Sequence, residues 1–204
     1  MNIKISEEIL SNINLNKYVK FIEKQQSQQK VSFLLEEPGK EHYKLLSYLS
    51  TLFNNEILID LGTYRGLSAL AMSYNQKNKV FTFDIEKFTI NNPIELKPEN
   101  SYNTIFMIDN ILENTKRYYE LIRKSRFICL DVDPHDGIKE PEFMKIILDS
   151  GFKGLILCDD IKLNKSMNDW WNSVSLPKYD VSKYAHWSGT GIICTDENIN
   201  LILE

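Results

Sequence analysis

Six aspartates in this chain stand where an apolar run ends. Asp60 follows Ile57–Ile59, Asp84 follows Val80–Phe83, Asp109 follows a run ending at Ile108, Asp131 follows RFICL, and Asp159 and Asp160 follow a run ending at Cys158. Carboxylates so placed accept hydrogen bonds from ribose hydroxyls, hold hard cations through oxygen, or cap helices. Between the first two acids lie Gly62 and Gly66, in the spacing DxGxxxG. Glycines there let the backbone approach a ligand closely, and the N–H groups of a following helix favour a phosphate or carboxylate. The spacing is not the GxGxxG of dinucleotide binding. His135, four residues past Asp131 in DVDPHDG, and His186, in AHWSGTG, supply imidazoles, the side chains best suited to proton transfer near neutral pH. His42 is read as a surface residue.

These residues need strands and turns to bring them together. Ile57–Asp60, the glycine turn, and Leu67, Leu70 and Ala71 at helical spacing read as strand, loop, helix. The same alternation repeats: Val80–Phe83; Tyr102–Ile108 with a helix carrying Ile111, Tyr118, Tyr119, Leu121 and Ile122; Arg126–Leu130 with a helix carrying Phe143, Ile146 and Ile147; and Gly154–Cys158 with a helix near Met167–Trp171. Continuous apolar runs alternating with helices predict an α/β fold, a doubly wound and mostly parallel sheet. Tyr179–Tyr184 and Gly191–Thr195, joined by HWSGTG, predict a C-terminal antiparallel hairpin. Before the sheet, Ser6 to about Gln29 reads as one or two helices, and Tyr43, Leu45, Leu46, Leu49 and Phe53 as a longer helix after Pro38-Gly39. The organisation expected is a helical cap over 1–38 and one ligand-binding domain over 39–204. The stretch 86–102, with two prolines and little periodicity, reads as a surface loop on the ligand side.

DLGTYRGLS followed by VFTFDIE resembles the class I S-adenosylmethionine-dependent methyltransferases, and within them the small catechol-type O-methyltransferases, over the chain from about Glu41 onward. The resemblance implies a Rossmann-like seven-stranded sheet and S-adenosyl-L-methionine as cofactor. Asp60, Gly62, Tyr64, Gly66, Ser68, Asp84, Asp109, Asn110 and Asp131 then line its site. Gly62 and Gly66 lie against the methionine part, Ser68 near the carboxylate, Asp84 on the ribose, and Asp109 and Asn110 toward adenine. Metal-dependent members take one Asp from the end of the fourth strand and an adjacent pair from the end of the fifth, which here are Asp131 and Asp159-Asp160. With oxygen donors alone and no His or Cys at metal spacing, Mg²⁺ is expected over zinc. Catechol-type enzymes carry Asn where Asp160 stands, and the extra acid points toward a different acceptor, such as a sugar hydroxyl. They also carry a lysine base at the position of Pro134; His135 is the expected substitute, with His186 reaching in from the hairpin as the other candidate. Helix capping remains the alternative for Asp109 and Asp159-Asp160, and a plain strand end for Asp131. Trp170, Trp171 and Trp187 either wall an acceptor pocket or belong to the core.

At 204 residues the chain supports one α/β domain. A net charge of -4 with no basic block argues against a nucleic-acid partner and for a small-molecule acceptor. The acidic amino terminus is unlike a secretory signal and no segment is long enough to span a bilayer, so no membrane association and a cytoplasmic location are expected. Cys129, Cys158 and Cys194 sit in apolar runs and read as buried free thiols. A homodimer is compatible with the sequence and not specified by it. The expected activity is methyl transfer to a hydroxyl. A metal-independent N- or carboxyl methyltransferase and a noncatalytic nucleoside-binding domain are the alternatives.

Overall fold

Neighbouring residues of the central strands point into two different cores, and this alternation is what makes their sequences continuously apolar. The computed structural model describes residues 1–18, 34–37, 39–86 and 103–204. Strand β1 (Asn2–Ile5) stands apart from a seven-stranded sheet formed by β2 (Ile57–Leu61), β3 (Lys79–Asp84), β4 (Thr104–Ile108), β5 (Ser125–Leu130), β6 (Leu155–Cys158), β7 (Lys178–Asp180) and β8 (Gly191–Cys194). Their order is β4-β3-β2-β5-β6-β8-β7. β4, β3, β2, β5 and β6 run parallel, while β8 is antiparallel to both β6 and β7. The sheet and its C-terminal hairpin thus follow the sequence expectation.

On one face Leu58, Phe127, Cys129, Leu155, Leu157 and Ile192 pack with residues of α1 (Glu7–Ser11), α2 (Lys40–Thr51) and α3 (Leu67–Met72). On the other, Ile59, Leu61, Ile128, Leu130, Ile156 and Ile193 pack with α4 (Thr115–Lys124), α5 (Lys139–Asp149) and α6 (Lys165–Ser173). The three cysteines are buried and free. Trp170 and Trp171 belong to the second core, so the acceptor-wall reading fails for them. A Cβ on Gly191 would collide with the Trp171 ring, which fixes why the hairpin carries glycine there.

Two short strands were not anticipated. β1 pairs in parallel with β9 (Asn200–Leu203) as a separate two-stranded sheet, and Ile3, Ile5 and Leu201 enter the first core. Residues 7–11 and 15–18 are helical, as expected for the start of the cap. The rest of the expected cap helices over 19–33, Pro38, and the expected loop over 87–102 lie outside the described residues. No helix among the described residues is long and apolar enough to cross a membrane.

Sheet order reverses between β2 and β5: β3 and β4 lie on one side of β2, while β6 lies beyond β5. In parallel α/β sheets such a switch point opens a crevice at the carboxyl ends of the strands. The acid-bearing loops all leave from that edge.

Candidate functional site

The glycine turn after β2 is built against its neighbours. Gly62 adopts φ 98, and a Cβ there would overlap the Asp131 carbonyl oxygen and lie 2.8 Å from its carbon. Strand packing across the β2–β5 switch point therefore requires glycine at this position. Gly66 adopts φ 78 at the start of α3. The N–H groups of Gly62 and Thr63 both donate to Phe83 O, and the Tyr64 N–H donates to Asp84 Oδ2 at 2.8 Å. Asp84 Oδ1 accepts from the Glu86 N–H at 3.3 Å, so each oxygen keeps acceptor capacity for a ligand hydroxyl.

Asp60 lies inside β2 and is fully buried. Its Oδ2 accepts from Thr82 Oγ1 at 2.6 Å and Ser68 Oγ at 3.1 Å, while Oδ1 has no partner. The Ser68 hydroxyl thus has a partner inside the fold. Burial pushes the Asp60 carboxyl up to about 7, against the lowering effect of the Thr82 and Ser68 hydroxyls. The folded chain therefore keeps this proton where the unfolded chain, near pH 4, has released it. The stability it contributes is complete below about pH 4 and is lost as pH rises toward 7. Asp60→Asn keeps a neutral group whose oxygen can accept both hydroxyls. Its stability relative to wild type should improve between pH 5 and pH 8 by roughly 1 kcal/mol or more, since each pKa unit is worth about 1.4 kcal/mol. Urea unfolding at the two pH values measures this, and an unchanged difference would contradict it.

Asp109 is held by side chains at the start of α4. Asn114 Nδ2 donates to its Oδ1 at 2.7 Å, Arg117 Nη1 to its Oδ2 at 3.1 Å, and the Tyr118 hydroxyl also to Oδ2. The carboxylate ties down the first turns of α4. Asn110 likewise bonds locally, to Glu113 Oε1 and the Leu112 N–H.

At the ends of β5 and β6 the structure gathers Asp131, Asp159 and Asp160 with all three histidines of the chain. His135 Nε2 stands 3.8 Å from Asp131 Oδ1, 3.6 Å from Asp160 Oδ2 and 3.5 Å from Asp133 Oδ1. His186 Nδ1 is 3.6 Å from Asp160 Oδ1 and contacts Ser188 Oγ. His42 Nδ1 is 3.6 Å from Asp159 Oδ1, and His42 is buried, correcting its reading as a surface residue. Its position was legible: 42, 45, 46 and 49 fall at i, i+3, i+4 and i+7, the buried stripe of α2. Thr190 Oγ1 donates to Asp159 Oδ1 at 3.2 Å, a partner that no sequence signal marked.

Among the described residues, the three side chains whose ligand atoms all lie within 4.8 Å of one another are Asp159, Asp160 and His186, and Asp131 stands beside this group instead of in it. Burial, then repulsion from their neighbours Asp159 and Asp160 respectively, raises the carboxyls of Asp131 and Asp159. Burial alone would raise Asp160 too, but its hydrogen-bonding neighbours His186 and Ser188 and its attraction to the nearby imidazoles outweigh it and hold Asp160 below the usual range. The Asp160 contact in turn raises His186. Burial pushes His42 down to about 4, so it is neutral at pH 7. Tyr64, His135 and Asp160 hold φ values of 42, 58 for Asp160 and 52 for His135, in a region that non-glycine residues seldom occupy. Such strain collects at functional sites.

No family model matches the sequence, and no curated protein matches it. Solved structures do. A Staphylococcus aureus protein described as a caffeoyl-CoA O-methyltransferase superposes with a TM-score of 0.57 at 12% identity, covering 90% of this chain and 93% of its own. Cofactor-bound Rv0187 from MTB gives a TM-score of 0.58 at 10% identity, covering 92% and 100%. The chain has the S-adenosylmethionine-dependent methyltransferase fold. Aeropyrum pernix fibrillarin, in complex with natively bound S-adenosyl-L-methionine, matches with a TM-score of 0.50 at 13% identity over 73% of each chain. At such identities the likeness is one of fold, and the chemistry of this methyltransferase-like sheet rests on its own residues.

Proposed function

We propose that the chain is an S-adenosylmethionine-dependent methyltransferase that methylates a hydroxyl of a small molecule or sugar, assisted by a divalent cation. One observation carries this reading: an imidazole, His135, faces two carboxylates of the β5 and β6 ends, 3.8 Å from Asp131 and 3.6 Å from Asp160, beside the switch point of a methyltransferase fold. An imidazole can take a hydroxyl proton, and carboxylates beside it favour the imidazolium that results.

Adenosylmethionine, when bound, supplies a methyl group on a positively charged sulfur. We assign it to the Gly62–Gly66 turn, with Tyr64 beside it and the spare acceptor capacity of Asp84 on the ribose. A divalent cation would be held by Asp159 and Asp160, with Asp131 alongside, and would supply charge that favours the ionised acceptor hydroxyl. The orphaned buried atoms Asp160 Oδ1 and His42 Nδ1 at this site fit such a group. His135 takes the acceptor proton, and Asp131 and Asp160 stabilise the imidazolium that forms. Trp187, 71% exposed with its ring beside His186, offers a flat apolar face on which an acceptor ring can lie.

Calorimetric titration with adenosylmethionine, with Mg²⁺ and with chelator, tests the assignment, followed by turnover on a panel of hydroxyl acceptors. Gly66→Val puts a β-branched residue at φ 78 and should abolish cofactor binding in a protein that still folds by circular dichroism. Undiminished affinity in that variant overturns the cofactor placement. Turnover indifferent to chelator selects a metal-independent transferase, and binding without turnover on any acceptor selects a nucleoside-binding domain.

A further inference from the structure

We infer that the cation site is a mixed carboxylate and imidazole site, formed by Asp159, Asp160 and a ring nitrogen of His186, that takes a first-row transition ion in preference to Mg²⁺. The inference rests on the cation reading above and specifies the ion and its ligands. The ligand atoms of these three side chains already lie within 4.8 Å of one another. His186 Nδ1 and Asp160 Oδ1 stand 3.6 Å apart, too far for a hydrogen bond. Adjacent ligands about 2.1 Å from a common ion are roughly 3.0 to 3.4 Å apart for octahedral and tetrahedral geometry, so small side-chain rotations close the gap.

A second, independent observation points the same way. His42 is 5% exposed, its Nδ1 has no hydrogen-bond partner, and that atom lies 3.6 Å from Asp159 Oδ1. A buried polar atom left unpaired costs about 1–3 kcal/mol, and a ligand of the adjacent carboxylate removes that cost if it brings a water or acceptor within reach. The Asp160 Oδ1 atom is orphaned in the same way. The surrounding bonds also suit a ligand set: Thr190 Oγ1 donates to Asp159 Oδ1 and orients that carboxylate. Imidazole nitrogen favours zinc, iron, cobalt and nickel, whereas Mg²⁺ demands oxygen ligands in near-ideal octahedral geometry and keeps much of its water.

The test uses the full chain stripped of metal by chelator, titrated calorimetrically with Co²⁺ and with Mg²⁺, and loaded with Mn²⁺ for pulsed electron paramagnetic resonance. The expected result is Co²⁺ binding at least about tenfold tighter than Mg²⁺, with a directly bound ¹⁴N signal in the Mn²⁺ spectrum. His186→Ala should erase that signal and weaken Co²⁺ by about tenfold or more, while His135→Ala retains both. His186→Gln replaces His186→Ala should the latter fail to fold. Equal Co²⁺ and Mg²⁺ affinities with no nitrogen signal overturn this inference and leave the cation reading standing. Binding of neither ion overturns both.

Discussion

Gly62→Ala is expected to lower the unfolding free energy by about 3 kcal/mol or more. The residue sits at φ 98, which costs any side chain strain, and the added methyl would overlap the Asp131 carbonyl oxygen. Both the obstructing atoms and the glycine are backbone, so no rotamer change relieves the clash. The ends of β2 and β5 would have to part, stretching the 3.0 Å bond from Asp131 N–H to Leu61 O. Gly151→Ala is the control. It also has positive φ, but the nearest obstacle is the flexible Arg123 side chain at 4.0 Å, so its cost should be about 1 kcal/mol. Urea unfolding of the two variants decides it, and equal losses would remove the steric explanation.

His135→Ala should reduce turnover on the order of a hundredfold or more while leaving affinity for adenosylmethionine unchanged. The side chain is the one imidazole that faces acids of both the β5 and β6 ends, and its placement is fixed from outside the loop: Asn164 Nδ2 donates to His135 O at 2.8 Å while Asn164 Oδ1 caps α6. Single-turnover kinetics with saturating cofactor would measure the chemical step. A His135→Ala enzyme near wild-type rate, with His186→Ala inactive, would transfer the proton-accepting role to the hairpin.

Much of this architecture is legible in local sequence because buried parallel strands leave an unmistakable record. Phe127–Leu130 and Leu155–Cys158 face a core on both sides, so every residue is apolar and the first polar residue, Asp131 or Asp159, marks the rim. That is why the acids of β5 and β6 were placed correctly. Residue type and spacing do not reveal which way a side chain turns, so the bond from Ser68 to Asp60 inside the fold leaves no local trace. The partners of Asp109, five to nine residues downstream at the N-cap and first turns of α4, are hidden for the same reason. His42 was hidden by reading a histidine on its own; its helical register with Leu45, Leu46 and Leu49 carries the signal. Its approach to Asp159, across 117 residues of chain, is tertiary and has no local trace.

The pairing of β1 with β9 has a kinetic consequence. Lys4 and Glu204, joined at 2.8 Å, are 200 positions apart in the chain, so this seam is about as non-local as the sequence allows. Contacts of such separation reward the chain only after the intervening segments have condensed, and they slow the search for the native state. The seam is also a separate two-stranded ladder outside the main sheet. Its amide protons should therefore be able to exchange through local opening while those of β2 and β5 wait for global unfolding.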